Sequence, residues 1–185
     1  MAIDIGALAT DRGTYLTYGW TYVSKDNPAN ASGTITSVEI WAAFTNLANC
    51  VVGTFYTTNG NTLKCRDSAT IGAVTAGSKQ TFTEDSEEEP LAIAVEAGDY
   101  IGIYFTTGYI EADNSEYAGV WYVSNEHIDP DDEATYDVYA NYAMSLYGTG
   151  EEAVVGWTGK ISGVTNPAKI MGVEVGNIAK VKGVE

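Results

Sequence analysis

Residues 1–150 consist of short runs rich in Tyr, Thr, Val and Ile, and turn residues separate each run from the next. No window keeps a 3.6-residue apolar period bounded by helix caps. Short strands at such regular spacing are typical of sandwiches and jelly rolls. The sequence therefore predicts an all-β, antiparallel β-sandwich, jelly-roll-like in type. The predicted strands are 14–24, 34–41, 50–67 (a hairpin), 69–74, 79–83, 91–95, 100–106, 118–124 and 135–147.

The hairpin in 50–67 bears on the two cysteines. Asn59-Gly60 between two β-rich runs predicts a two-residue type I′ turn, which places Thr54 opposite Cys65. Cys50 then lies four residues further along, about 13 Å from Cys65 at the rise of a strand. A disulfide requires Cα atoms within about 7 Å. Both residues are therefore predicted to be free thiols in the core, on the face that carries Val52 and Leu63.

The chain is strongly acidic, with 9 basic and 25 acidic residues and a net charge of −16. Such a charge repels phosphate groups, so we expect neither nucleic acid nor anionic membranes as partners. The chain has no run of about 18 apolar residues that could form a transmembrane helix. Its start lacks a basic region followed by an apolar stretch, so we expect folding in a cytoplasm.

The final residues differ in pattern and in charge from the rest. Three copies of K-[IV]-x-G-V begin at Lys160, Lys169 and Lys180, and residues 156–185 carry 4 Lys and 2 Glu, against 5 basic and 23 acidic residues in 1–155. We predict a sandwich body over 1–150 and an attachment or oligomerisation arm over 151–185, because a short repetitive segment needs another surface to cover its aliphatic residues. The alternative is that the tail adds edge strands to its own sandwich. The predicted interface residues are Lys160, Ile161, Val164, Lys169, Ile170, Val173, Lys180, Val181 and Val184.

Residues 160–185 resemble the K-[IV]-x-G-V repeats that close many tailed-bacteriophage virion proteins. Segments 33–41 and 95–102 resemble β-sandwich modules of such proteins more loosely. The resemblance implies a non-enzymatic structural component of the virion, in the tail, a fibre or the capsid decoration. It further implies that the protein binds other virion proteins and copies of itself. No functional residue can be carried over from it.

Motifs for catalysis are lacking in the sequence. His127 is the sole histidine, no G-x-S-x-G motif occurs, and 72–79 has Ser-Lys where a phosphate loop requires Lys-Ser or Lys-Thr. Two cysteines and one distant histidine lack the spacing of zinc ligands. We therefore expect no enzyme activity and no cofactor.

Calcium is the metal that the sequence supports best, through the acidic residues Asp129, Asp131, Asp132 and Glu133. Hard cations take several oxygen ligands. The segment is not an EF-hand, because Ala134 and Ala140 stand where that loop requires Gly and Glu. A hydrated acidic loop explains the same residues and is the preferred interpretation.

Aromatic residues suggest a second function, carbohydrate binding by a receptor-recognition module. The residues concerned are Tyr109, Tyr117, Trp121, Tyr122, Tyr136 and Tyr139. Exposed, clustered rings would favour saccharide stacking, whereas buried rings would indicate cross-strand packing in the core.

Overall fold

The computed structural model of the chain describes residues 2–153 and, beyond them, 160–161, 164–165, 169–170 and 173–174. These residues form antiparallel strands and no helix. The chain divides into two compact units, Met1–Glu152 and Ala153–Glu185. The first unit is an antiparallel β-sandwich, which confirms the predicted fold class.

The smaller sheet of the sandwich places the first and last strands of the body side by side. Its strands are β1 (Ala2–Ala7), β4 (Gly33–Trp41), β7 (Lys79–Phe82), β8 (Ile93–Val95) and β13 (Leu146–Glu152). Strand β13 lies between β1 and β4, while β7 and β8 pair with the two halves of β4 on its other side.

The larger sheet has eight strands in the order β11-β6-β5-β9-β3-β10-β12, and β2 pairs with the first part of β10. The strands are β2 (Thr14–Thr17), β3 (Trp20–Ser24), β5 (Leu47–Asn59), β6 (Thr62–Val74), β9 (Tyr100–Tyr104), β10 (Tyr109–Ser124), β11 (Glu133–Thr135) and β12 (Asp137–Met144).

Eight of these strands have the order of a jelly roll. The smaller sheet contains β1-β13-β4-β8 and the larger sheet contains β3-β9-β5-β6 as neighbours. Along the chain these strands pass repeatedly from one sheet to the other, as two interlocked Greek keys do. Strands β10 and β12 are inserted before the last jelly-roll strand and extend the larger sheet beyond β3.

The main core lies between the two sheets. Aliphatic side chains from the smaller sheet, such as Ile5, Ile35 and Ile40, are fully buried, as are Val52 and Ile103 of the larger sheet. A register shift between β4 and β13 explains the imperfect alternation of 34–41. The bulge lets Ile35 and Val38 both point into the core, although three positions separate them.

A second, smaller cluster covers the opposite face of the larger sheet. Successive residues in a strand point to opposite faces, so Val23 and Trp121 lie behind Tyr22 and Tyr122. The cluster contains Val23, Phe55, Leu63, Cys65, Trp121, Ile128 and Tyr136. Segment 125–136 supplies Ile128 and Tyr136 and thus covers this face.

Several predicted elements differ from the structure. Strand β1 was not predicted, and the predicted strand 14–24 is divided into β2 and β3 at Gly19, where φ is 81°. The predicted strands 91–95 and 100–106 correspond to β8 and β9, which are consecutive in the chain but belong to different sheets. Similarly, the predicted strand 135–147 divides at Ser145 into β12 and β13, which belong to different sheets.

The hairpin of β5 and β6 forms, but its register differs from the predicted one by one residue. The turn is Gly60-Asn61, Asn59 pairs with Thr62, and Cys65 lies opposite Phe55 instead of Thr54. Both cysteines are buried and free, as predicted. They do not share a face: Cys50 belongs to the main core and Cys65 to the second cluster.

In the second unit, two copies of the repeat have the same pairing. Strand β14 (Lys160–Ile161) pairs antiparallel with β15 (Val164–Thr165), and β16 (Lys169–Ile170) pairs with β17 (Val173–Glu174). The second and fifth positions of the repeat, Ile161 with Val164 and Ile170 with Val173, are direct partners. The third copy, with Lys180, Val181 and Val184, lies outside the described residues.

Candidate functional site

Two of the aromatic residues that suggested saccharide binding are core residues. Trp121 and Tyr136 are 4% and 2% exposed, and both belong to the cluster under segment 125–136. The indole Nε1 of Trp121 donates to Asn61 Oδ1 over 3.0 Å. These rings are buried, so they cannot serve as stacking platforms.

Three other rings form an exposed cluster, which we call the aromatic surface. Its members are Tyr15 in β2, Phe44 in the loop between β4 and β5, and Tyr109 at the start of β10. The rings of Phe44 and Tyr109 stack with centroids 4.7 Å apart. The ring of Tyr15 meets both edge-on, at 5.1 and 4.9 Å. Phe44 is 64% exposed and Tyr15 49%, which is unusual for adjacent large apolar side chains.

Backbone hydrogen bonds hold the three segments of the aromatic surface together. The N–H of Ala43 donates to the carbonyl of Tyr109 over 2.8 Å, and the N–H of Thr106 donates to the carbonyl of Ala48 over 2.9 Å. Tyr109 is also paired with Thr17 of β2. The rings are therefore mounted on paired backbone, in a fixed relative geometry.

A groove continues from the aromatic surface along the larger sheet. A cavity of about 230 Å³ is lined by Tyr15, Leu16, Thr17, Tyr22, Tyr139 and Tyr142. Tyr139 stacks on Tyr122 with centroids 3.9 Å apart, and Trp20 meets Tyr122 edge-on. Burial, and then the neighbouring Tyr122, raise the pKa of Tyr139, so its hydroxyl stays protonated at neutral pH.

The aromatic surface is built from chain segments that carry no charge. Segments 13–24, 42–63 and 100–110 contain no Asp, Glu, Lys or Arg, whereas charged residues make up 18% of the chain. Their exposed polar residues are threonines and asparagines, among them Thr17, Thr45, Asn46 and Thr107. Sequence reasoning did not select Tyr15 or Phe44, and these uncharged segments are the signal that could have found them.

A second cavity lies beside Arg12. It measures about 470 Å³ and is lined by Gly6, Ala7, Leu8, Thr10, Arg12, Asp26, Asn27 and Tyr117. The Arg12 guanidinium donates to Ser145 Oγ, Tyr117 Oη and the Leu8 carbonyl, at 2.8, 3.1 and 2.9 Å. These bonds fix Arg12 as a brace between the N-terminal segment, strand β10 and Ser145, which joins β12 to β13. The bond to Tyr117 also gives a structural role to this ring, which was among the residues that suggested saccharide binding. Tyr117 supports Arg12 and does not belong to the aromatic surface.

The predicted calcium residues separate into two groups. Asp129 and Asp132 converge with Glu126, and one carboxylate oxygen from each lies within 4.8 Å of the others. Asp131 instead pairs with Lys64 at 2.8 Å, and this contact lowers the pKa of the Asp131 carboxyl. Glu133 accepts a hydrogen bond from Thr58 Oγ1 at 2.6 Å. Calcium takes about six to eight oxygen ligands. Glu126 and Asp129 are exposed, and a cluster of three carboxylates at the surface does not by itself indicate a calcium site.

Burial makes the two thiols poor nucleophiles. It raises the pKa of Cys65 to about 12, with a further contribution from the carboxylate of Asp67. Burial also raises the pKa of Cys50. The partly buried His127 is held by its backbone N–H, which donates to Thr21 Oγ1 over 3.0 Å. None of these groups stands next to an activating partner in the part of the chain that the structure describes.

Comparison of the chain with models of known protein families, with curated proteins and with solved structures gave no match. Among the described residues, no helix is long and apolar enough to cross a membrane.

Proposed function

We propose that the protein is a non-enzymatic structural component of a tailed-bacteriophage virion, in the tail, a fibre or the capsid decoration. The body folds in the host cytoplasm, where Cys50 and Cys65 remain reduced, and the arm docks it to the particle or to sister copies. The observation that carries the proposal is the shared pairing of the repeat copies at 160–165 and 169–174. Repeats that form equivalent strand pairs offer equivalent contacts to a surface that is itself repeated.

The pairing supports docking on energetic grounds. A two-stranded hairpin with two residues in each strand is not stable alone in water. Burying an aliphatic side chain such as Ile161 or Val164 contributes about 1.5–3 kcal/mol. Several such residues from three copies are enough to hold an arm in place, even after the entropic cost of ordering it.

The charge distribution supports the same assignment of roles. Residues 1–155 have a net charge of −18 and residues 156–185 a net charge of +2. Copies of the acidic body repel one another, which keeps them apart in solution. The arm lacks this repulsion and is the part of the chain suited to contacts with other virion proteins and with copies of itself.

A reconstitution experiment tests the proposal. Full-length chain is added to purified particles that lack it, and the bound fraction is measured by sedimentation. Replacing Val164, Val173 and Val184 together by Asp should abolish cosedimentation, because the aliphatic contacts are lost. Replacing Lys160, Lys169 and Lys180 by Arg is the matched control, since it preserves charge and leaves the apolar positions intact.

Two results would contradict the virion assignment. One is the absence of the chain from particles purified from its natural source, as measured by mass spectrometry. The other is binding of the triple Asp variant at the level of the unaltered chain, which would exclude the arm as the attachment segment.

A second candidate function is saccharide recognition by the body. The observation that favours it is the aromatic surface, with Phe44 and Tyr15 exposed side by side. A chain that attaches through its arm and recognises a saccharide through its body combines both functions in one virion component.

A further inference from the structure

We infer that the aromatic surface binds a neutral saccharide chain, with Phe44 as its central stacking residue. This inference rests on the second candidate function and gives it a location and a ligand class. It is independent of how the arm attaches.

The exposed rings supply the apolar contact that a sugar ring requires. Phe44 rests with one side on Tyr109, at 4.7 Å between centroids, and remains 64% exposed. Tyr15 stands nearly perpendicular to Phe44, with an interplanar angle of 88°. An aromatic face beside a second ring presents a platform with a raised edge, on which the C–H face of a pyranose can rest. Covering such rings removes apolar area from water.

The segments that carry the platform also supply uncharged hydrogen-bonding groups. Asn46 Oδ1 accepts the backbone N–H of Ala76 over 2.9 Å, and no bond of its amide nitrogen to another described residue is seen. Exposed Thr17, Thr45 and Thr107 add hydroxyl groups, which both donate and accept. Sugar hydroxyls also donate and accept, so the two sets of groups match without ion pairs.

The absence of charge in these segments selects a neutral ligand. Segments 13–24, 42–63 and 100–110 contain no Lys or Arg to pair with a uronate, a sialic acid or a phosphate. The surrounding body, with 23 acidic residues in 1–155, repels anions. Protein-binding surfaces are enriched in Arg and Met as well as aromatic residues, and neither Arg nor Met occurs in these segments.

The platform is also preorganised, which lowers the entropic cost of binding. At Gly108 the backbone has φ of 95° and lies against the carbonyl groups of Thr45 and Asn46, so a side chain would not fit there. Asn49 Nδ2 donates to Thr106 Oγ1 over 2.9 Å and ties the start of β5 to the loop between β9 and β10. The groove towards Tyr139 and Tyr142 extends the surface in one direction, as a chain of several sugar units requires.

The test uses the full-length chain on an array of oligosaccharides that covers neutral hexoses, deoxyhexoses and N-acetylhexosamines together with sialylated and uronate-containing glycans. We expect binding to neutral glycans only, and the best neutral ligand is then titrated by calorimetry. Phe44→Ala should weaken its affinity by about tenfold or more, as for a central aromatic contact. Phe44→Trp should retain binding, whereas Phe44→Leu should lose it, because stacking requires a ring.

Leu8→Ala is the matched control, because Leu8 is 61% exposed but lines the cavity beside Arg12, which shares no residue with the aromatic surface. Its affinity should stay within about twofold of the unaltered chain. If a neutral glycan binds all variants equally, the location is wrong while saccharide recognition stands. If no neutral glycan binds, or only charged glycans bind, the inference is wrong. A change in self-association caused by Phe44→Ala, without glycan binding, would assign the surface to a second copy of the chain.

Discussion

At the scale of single residues, burial determines which side chains can react. Cys50 is fully buried and Cys65 is 1% exposed, and burial raises the pKa of both thiols. The thiolate is the reactive form, so the native protein contains very little of it at pH 8. We expect iodoacetamide to modify neither cysteine within an hour at pH 8, but two per chain after denaturation without reductant. Mass spectrometry reads out the modification, and a chain that gives no thiol after denaturation would contradict the structure.

The buried thiols and phenols also make stability depend on alkaline pH. Burial raises the pKa of Cys50, Cys65, Tyr22 and Tyr136 above their ordinary values of 9.0 for a thiol and 10.0 for a phenol. The folded state therefore favours the protonated forms. Their contribution is fully present below pH 9 and is lost as the pH rises, because the unfolded chain ionises first.

The variant Tyr136→Phe tests this dependence of stability on alkaline pH. It removes one buried ionisable hydroxyl while the ring stays against Phe55. We expect the urea midpoint of the unaltered chain to fall between pH 8 and pH 10.5, and the midpoint of the variant to fall less. Tyr18→Phe, at a 49% exposed position, should leave the slope unchanged. Equal slopes for Tyr136→Phe and the unaltered chain would show that Tyr136 does not contribute.

The residues of the candidate sites could be predicted only in part, because burial depends on the packing of distant segments. Asp129 and Asp132 were selected with Asp131 and Glu133 because four carboxylates are concentrated in 129–133, and only the first two converge, together with Glu126. Glu126 was missed, since it joins them through a bend at Asn125, where φ is 71°. The sequence left open whether Trp121 is exposed or buried, because the segment that covers it is remote: Ile128 and Tyr136 of segment 125–136 pack in the same cluster and Trp121 is buried.

At the scale of elements, local turn signals predict that a hairpin exists but not its exact register. Asn59-Gly60 predicted the turn, and the structure places it at Gly60-Asn61. The carbonyl and side chain of Asn61 accept hydrogen bonds from the Tyr136 N–H and the Trp121 Nε1. These tertiary bonds fix Asn61 in the turn, and a one-residue shift follows along the end of β6. Similarly, the sequence of 91–106 could not show that its two strands belong to different sheets.

Gly108 provides a test of how the elements around the aromatic surface are held. A Cβ at this position would collide with the backbone of Asn46 and Thr45, and φ is 95°. Gly108→Ala should therefore destabilise the body by about 1–3 kcal/mol, as for a strained non-glycine residue. Gly13→Ala is the control, since no atom lies within 4 Å of its Cβ position and φ is not positive there. Thermal unfolding measures both, and equal melting temperatures would contradict the close backbone approach.

At the scale of the whole molecule, few of the acidic residues in the body form salt bridges with basic residues of the described part of the chain. The salt bridges of the described residues engage Lys64, Arg66 and Lys79, and the Arg66 pair with the buried Asp99 is the most enclosed. The acidic residues in these salt bridges are Glu39, Glu96, Asp99 and Asp131, and the remaining excess of negative charge keeps the body soluble. The segments that build the aromatic surface carry no charge and residues 156–185 have a net charge of +2, and both are proposed contact regions.

The independence of the body from the arm is the last and most general prediction. The final jelly-roll strand, β13, ends at Glu152, and the described repeat strands pair within their own copies. Deleting 156–185 removes no strand from either sheet of the body. We expect the truncated chain to melt cooperatively, within a few degrees of the full-length chain, when followed by circular dichroism.

A longer deletion, of residues 146–185, is the comparison for the deletion of 156–185. This deletion also removes β13, which lies between β1 and β4 and contributes the fully buried Leu146. The loss leaves Ile5 and Ile35 without their neighbours and should prevent cooperative folding. If the 156–185 deletion aggregates or unfolds in the same way, the repeats complete the sandwich core. The tail would then be an edge of the fold and not an attachment arm.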